Sequence, residues 1–293
     1  MSGVVGLIGI GLMGSVFARR LLAAGYRVVG FDIAPTRRED LRKFGGEPVD
    51  SVAEVARRAQ IYLISVMTIA QVEEVVEGKG GLIESGEGAQ RIALCTSTCE
   101  PERIEALAAR AAARGFTFLD TPVSGTSQQV LRGEGLGLVA GDRQAAEIAA
   151  PVLDVIYPRR KFVGEAGAGT KVKLAINHIL GLNRVALAEG LVFAETLGVD
   201  KATFLAVARE SAAYSQIMDV KGAKMVEGDF TPVSKVSQHL KDVRTMLASA
   251  AKQGQALPFL ALLADVLEAC ERHGDGERDN AITIEEIRRR STA

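Results

Sequence analysis

Gly9-Ile10-Gly11-Leu12-Met13-Gly14 constrains this chain more than any other feature. The β-branched run before it, residues 4–8, reads as a short strand. Residues 13–24 read as a helix stopped by Gly25. A strand that turns through three spaced glycines into a helix is a dinucleotide-binding turn. The first glycine permits the tight turn, the second lets the backbone approach a pyrophosphate, and the third lets helix and strand pack closely. The backbone N–H groups and the helix dipole then hold the phosphates. The glycine spacing alone is a weak signal, and Asp32 strengthens it. Asp32 ends a second strand, residues 27–31, where a carboxylate accepts both ribose hydroxyls of NAD. It repels a 2′-phosphate, and Arg37 and Arg38 a few residues on partly reverse that. NAD is the expected cofactor, with NADP the alternative.

Apolar strands recur at residues 61–65, 91–95 and 117–119, with helical stretches between them, as at 104–113. Strands that alternate with helices argue for a parallel, doubly wound sheet. Residues 136–140 are a further strand, and Asp142 caps a helix expected to run to about residue 153. After Val163 the pattern changes. Gly164, Gly167 and Gly169 form a loop, and helical periodicity then runs from about residue 171 to 197. Residues 199–209, 216–226, 240–253, 259–272 and 282–290 all read as helices, without a strand among them. The expected fold is a Rossmann-type α/β domain over residues 1–163. An all-α helical domain over residues 164–293 follows, entered through a long helix. A length of 293 residues agrees with two domains.

Other classes are argued against by composition. Lys and Arg total 35 against 36 Asp and Glu, for a net charge of -1, which leaves no footprint for nucleic acid or a membrane surface. Trp is absent, which disfavours a base-stacking platform. Cys95, Cys99 and Cys270 are an odd set without a disulfide frame, so a reducing compartment is expected. Neither the cysteines nor the scattered His178, His239 and His273 form a metal-ligand cluster. The apolar start of the chain lacks a basic leader and is interrupted by glycines, so it does not read as a signal peptide. No stretch is long and apolar enough to span a bilayer, and a cytoplasmic location is expected.

Two further constellations carry chemistry. Asp120-Thr-Pro-Val-Ser-Gly-Thr126 follows a strand end, where open α/β sheets bind ligands. Ser124 offers a hydroxyl, and Gly125 and Thr126 are expected to offer unencumbered backbone N–H groups to a small carboxylate. Lys173 and Asn177 lie one helical turn apart on one face, in an apolar frame. A lysine in a partly desolvated cleft has its pKa lowered and exchanges protons near neutrality. Lys171 lies on another face, nearer the loop, and reads as a solvated lysine.

Gly6-Leu-Ile-Gly-Ile-Gly-Leu-Met-Gly14, Asp120-Thr-Pro-Val-Ser-Gly125, Gly167-Ala-Gly-Thr-Lys-Val-Lys-Leu-Ala-Ile-Asn177 and His239-Leu-Lys-Asp242 occur in the order and spacing of the β-hydroxyacid dehydrogenase family. The chain resembles that family over nearly its whole length. The resemblance implies that Lys173 is the catalytic lysine, Asn177 its partner, and Ser124, Gly125 and Thr126 the substrate-carboxylate loop. It implies a cofactor site made of Gly9, Gly11, Leu12, Met13, Gly14, Asp32, Val66, Met67 and Thr98. Lys241 would reach the nicotinamide from the helical domain, and a cleft between the domains would hold that ring. The run 211–215, with Tyr214, matches a region that shapes substrate pockets. Val66-Met67 stands where the family usually has Leu-Pro; the cofactor contact there is expected to persist because it is largely main-chain. Thr126 stands where the family often has Gly, which weakens one carboxylate contact.

The implied reaction is reversible hydride transfer between a nicotinamide and a small β-hydroxy acid or its semialdehyde, such as 3-hydroxyisobutyrate. Lys173 is the general acid/base. No metal is required, since a protonated lysine stabilises a developing alkoxide. Similar proteins imply a homodimer or homotetramer with the helical domain's apolar surface covered. One alternative is an NADPH-dependent glyoxylate or succinic semialdehyde reductase. Imine reductases of this fold tend to lack the lysine, so Lys173 argues against that activity. The Lys173/Asn177 pair argues against a non-catalytic dinucleotide-binding module.

Overall fold

Strands that are apolar on both faces need helices on both sides, and the first half of the chain supplies them. The computed structural model describes residues 3–88 and 90–290. Its first compact unit ends at Lys173 and its second begins at Leu174. The first opens with β1 (Val4–Ile8), α1 (Leu12–Ala23), β2 (Arg27–Phe31), α2 (Pro35–Lys43), β3 (Glu47–Pro48), α3 (Val52–Arg58) and β4 (Ile61–Ile64). Next come α4 (Ile69–Glu77), α5 (Leu82–Ser85), β5 (Ile92–Cys95), α6 (Pro101–Ala112), β6 (Thr117–Asp120), β7 (Val123–Ser124) and α7 (Ser127–Leu131). It closes with β8 (Leu136–Ala140), α8 (Arg143–Ile148), α9 (Ala150–Ile156) and β9 (Arg159–Gly164).

The sheet order is β3-β2-β1-β4-β5-β6-β8-β7, with β9 also paired to β8. From β3 through β6 every neighbouring pair is parallel. β8 runs antiparallel to β6 and β7, and β9 runs parallel to β8. Side chains alternate in which face they fill, as the strand repeat requires. Val5, Leu7, Leu63 and Leu94 pack with Phe17 and Leu21 of α1, whereas Ile8, Tyr62, Ile64 and Ala93 pack with α3, α4 and α6. The chain crosses from β3 at one edge to β4 beside β1, so the strand order reverses between β1 and β4. Ligands of such sheets bind outside the carboxyl ends at that point.

Two details depart from the sequence reading. The helix expected to start at Asp142 is capped by it, Oδ1 accepting from Ala145 N at 2.6 Å, but it breaks at Ala149 into α8 and α9. Pro151 sits in the first turn of α9, where its missing N–H does no harm. β9 has no sequence signature of a strand because Arg159, Arg160 and Lys161 make it a charged edge strand with no apolar run. The first turn of the following helix is bonded to Asp120 of the sheet, and the compact first unit runs on to Lys173.

That helix, α10 (Ala168–Thr196), leads into the second unit. α11 (Lys201–Glu210), α12 (Gln216–Glu227), α13 (Val236–Lys252), α14 (Pro258–Arg272) and α15 (Thr283–Arg289) follow. Leu187, Leu191, Met225, Leu240, Leu260 and Leu267 belong to its core. A buried ion pair crosses that core: Lys221 Nζ lies 2.6 Å from Asp279 Oδ1. Asp279 also accepts from the amides of Val233, Ser234 and Ala281, so the buried carboxylate is fully satisfied. Among the described residues no helix is long and apolar enough to cross a membrane.

Candidate active site

The glycine turn after β1 is shaped by close approach. Gly9 has φ +89°, and a Cβ there would lie 2.2 Å from the Ser65 carbonyl oxygen. A Cβ on Gly14 would lie 2.0 Å from the Gly9 carbonyl oxygen, so α1 packs on the turn only without a side chain. A Cβ on Gly11, by contrast, would meet nothing within 4 Å. Gly11 caps α1 without a side-chain hydrogen bond, and the first i→i−4 bond runs from Ser15 N to Gly11 O. The amides of Leu12, Met13 and Gly14 therefore point out of the helix start with no helical acceptor. No acidic residue stands in that first turn. These are the properties a pyrophosphate needs.

Asp32 stands beside this turn. Its Oδ2 accepts from Ile10 N at 2.7 Å and its Oδ1 from Ala34 N at 2.9 Å. A carboxylate has about four acceptor positions, so two remain for ribose hydroxyls. Arg38 Nη1 donates to the Asp32 carbonyl oxygen at 2.7 Å, while Arg37 pairs with Asp40 at 3.6 Å. The residues present fit a nicotinamide dinucleotide.

The loops after β4 and β5 are joined by Ser97, which the sequence reading passed over. Its hydroxyl donates to Val66 O at 2.7 Å and accepts from Val66 N at 3.1 Å. Met67 N donates to Gln71 Oε1 at 2.9 Å, an extension of the Thr68/Gln71 capping box on α4. The N–H groups of Val66 and Met67 are thus both engaged within the protein, and the Met67 side chain is exposed. Thr98 follows Ser97 on the same loop and is half-buried.

β6 ends in Asp120, buried with no exposed surface. Ser124 closes β7 opposite Leu136 of β8, and Gly125 follows at φ +145°. Thr126 is the N-cap of α7: its hydroxyl accepts from Gln129 N and its own N–H donates to Gln129 Oε1 at 2.8 Å. The expectation that Thr126 offers an unencumbered N–H is thus overturned, since Thr-x-x-Gln spends it on a capping box. Gly9, Asp32, Val66, Thr98 and Ser124 all follow carboxyl ends of strands at the same edge of the sheet.

α10 begins under Asp120, whose oxygens accept from Thr170 N at 2.7 Å and Thr170 Oγ1 at 2.8 Å. Lys173, on the next turn, is 9% exposed. Lys171 lies at the surface, 2.5 Å from Glu105. In the second unit, Asn177 Nδ2 donates to Asp242 Oδ2 at 3.3 Å, and both residues are buried. Lys241 Nζ lies 3.4 Å from Asp242 Oδ1, and Gln238 Nε2 donates to the same oxygen at 3.4 Å. Asp242 is a second residue to which the sequence assigned no role; its 65-residue separation from Asn177 leaves no local signal. Tyr214 is half exposed, and its hydroxyl donates to Asp219 at 2.6 Å.

Known proteins with this arrangement are dehydrogenases and reductases. Residues 4–164 match the family described as the NAD binding domain of 6-phosphogluconate dehydrogenase. Residues 167–287 match the family described as NAD-binding of NADP-dependent 3-hydroxyisobutyrate dehydrogenase. The chain is 31% identical over 285 residues to the L-threonate dehydrogenase of Cupriavidus necator, across 97% of this chain and 96% of that one. It is 28% identical to glyoxylate/succinic semialdehyde reductase 1 of Arabidopsis thaliana, across 97% and 98%. Among solved structures, the 3-hydroxyisobutyrate dehydrogenase of Salmonella typhimurium has a TM-score of 0.87 at 26% identity, across 97% and 99% of the two chains.

Proposed function

The chain belongs to the β-hydroxyacid dehydrogenase family, NAD(P)-dependent oxidoreductases, and on that premise we propose that it interconverts a small β-hydroxy acid and its semialdehyde with Lys173 as the proton carrier. The observation that carries this reading is the buried pair on successive turns of α10, Lys173 and Asn177, each 9% exposed. Asp242 holds the Asn177 amide with Nδ2 toward itself, which leaves Oδ1 to accept from a substrate hydroxyl or from an ammonium. In oxidation the Lys173 amine takes the hydroxyl proton; in reduction the ammonium returns it and stabilises the oxyanion meanwhile. Ser124 and the Gly125 N–H receive the carboxylate. Bound dinucleotide supplies the hydride acceptor or donor, with its pyrophosphate on the Gly9–Gly14 turn and its ribose on Asp32.

The same residues run the reaction as a reduction; the second reading is reduction of glyoxylate or succinic semialdehyde by NADPH, the substrates being those for which the Arabidopsis relative is named. A panel decides between them: L-threonate, 3-hydroxyisobutyrate and D-glycerate with NAD+ and NADP+, and glyoxylate and succinic semialdehyde with NADH and NADPH. We expect one member to reach a kcat/KM of about 10⁴ M⁻¹s⁻¹ or more. Cofactor binding without turnover anywhere on the panel would leave a dinucleotide-binding module instead.

The second unit also supports self-association. α10 exposes Ile179 and Phe193, and Leu197 just past its end continues that stripe, each more than 60% exposed; α14 exposes Phe259 and Leu262. Apolar surface of this kind on a soluble chain marks an interaction face, and we take its occupant to be a second copy of the chain. Sedimentation at micromolar concentration should give a dimer or tetramer. Phe193→Glu with Leu197→Glu should shift it toward monomer, and a monomeric wild type would contradict the assignment.

A further inference from the structure

We propose that Asp120 is a positioning residue for this reaction: its carboxylate locks the first turn of α10 to the end of β6 and so holds Lys173 in place relative to the Ser124 loop. The inference rests on the reading of Lys173 as proton carrier and adds the element that places it.

The joint is short on both sides. Asp120 Oδ2 accepts from Thr170 N at 2.7 Å and Oδ1 from Thr170 Oγ1 at 2.8 Å, so the two oxygens grip one residue at two points. Thr170 lies three residues before Lys173, on the same helix face. Ser124 lies four residues after Asp120, at the end of β7. The residue proposed to take the substrate's carboxylate and the residue proposed to take its proton are thus linked through one carboxylate. Neither Asp120 nor Thr170 has any exposed surface, so water does not compete for these bonds. The approach is as close as the backbone allows. A Cβ on Gly169 would lie 2.9 Å from the Asp120 carbonyl oxygen and 3.0 Å from Oδ2. Any side chain there would push the helix off the strand end.

The charge state supports a role beyond packing. Burial raises the Asp120 carboxyl to about 6, against the pull of the Thr170 and Gly167 hydrogen bonds. The folded value lies above the ordinary one, so this group's contribution to stability falls as pH rises from about 4 to about 6. At neutral pH the chain holds a buried charge that costs stability. An asparagine of the same shape could accept from the Thr170 N–H and donate to its hydroxyl without that cost. A carboxylate placed where a neutral amide would cost less fits a functional role. It makes charge-assisted bonds, roughly twice as strong as neutral ones, and its sign suits a helix N-terminus. Around the joint, burial pushes the thiol of Cys95 on β5 and the hydroxyl of Tyr157 after α9 well above their ordinary ranges, so both stay neutral. The Glu105–Lys171 pair of α6 and α10 lies at the surface.

The test uses the full-length chain and the variants Asp120→Asn, Thr170→Val, Thr170→Ser and Lys173→Ala. Three quantities are read: kcat and KM on the fastest substrate of the panel above, the cofactor Kd, and amide hydrogen exchange across residues 168–174. Asp120→Asn should lower kcat about tenfold to a hundredfold, as a small misplacement of a reacting group does. Cofactor Kd should hold, the melting temperature at neutral pH should stay or rise because the buried charge is gone, and exchange in the first turn of α10 should quicken as the charge-assisted bonds weaken. Any acid limb of kcat near pH 6 should vanish in Asp120→Asn. Thr170→Val should behave likewise and Thr170→Ser should recover most of the loss; these two variants carry the test if Asp120→Asn does not fold. Wild-type kcat in Asp120→Asn, beside an inactive Lys173→Ala, overturns the proposal alone. So does a loss of activity that only tracks a lost melting temperature. Full activity in Lys173→Ala overturns the reading beneath it as well.

Discussion

Lys173→Ala is expected to lower turnover by about 10²–10⁴-fold, the range for a lost general acid/base, with little change in NAD affinity. The asymmetry follows from where the amine acts. In the proposed site the dinucleotide's phosphates and ribose meet the Gly9–Gly14 turn and Asp32, neither of which depends on Lys173. The substrate hydroxyl has to exchange its proton with a group sheltered from water, and Lys173 is 9% exposed. Lys171, two residues earlier, is the natural control. Its ammonium is paired with Glu105 at the surface, so Lys171→Ala should keep near-wild-type kcat. Steady-state kinetics together with a cofactor titration by NADH fluorescence separate the two terms. An active Lys173→Ala beside an inactive Lys171→Ala would assign the chemistry to the wrong face of α10.

Asp32→Ser is expected to narrow the preference for NAD over NADP by about tenfold to a hundredfold, since a charged hydrogen bond contributes about 1.5–3 kcal/mol. Two of the carboxylate's acceptor positions are taken by Ile10 N and Ala34 N, and the rest are left for the ribose. Serine removes the repulsion felt by a 2′-phosphate. It leaves Arg38 in place, because Arg38 is hydrogen-bonded to the Asp32 main chain rather than to its carboxylate. Arg37, exposed on α2 and paired only loosely with Asp40, can turn toward the added phosphate. The kcat/KM values of wild type and variant with each cofactor decide the matter. A wild type that prefers NADP would show that the two arginines outweigh Asp32.

Local signals were legible in the sequence and distant pairings were not. The β-branched runs, the glycine turn, and Asp32 at the end of β2 are all set within a few residues of one another. The parallel sheet and the helical second unit followed from them. The charged edge strand β9 carries no apolar pattern, whereas Pro151 does mark in the letters the point where α9 starts afresh after α8. Thr68-x-x-Gln71 and Thr126-x-x-Gln129 are capping boxes visible in the letters. They engage the N–H groups of Thr68 and Thr126 before any ligand arrives. Asp120 and Asp242 are different in kind. Their partners, Thr170 and Asn177, lie 50 and 65 residues away, and only the folded chain brings them together.

Hydride transfer from a hydroxy acid with Lys173 carrying the proton can be followed directly by turnover of hydroxy acids deuterated at the carbinol carbon, the wild type being compared with Lys173→Ala. The wild type should deliver one deuterium to C4 of the nicotinamide, and transfer should be slowed by about 10²–10⁴-fold in the variant. Deuterium appearing in solvent instead, or equal transfer by both proteins, would contradict it.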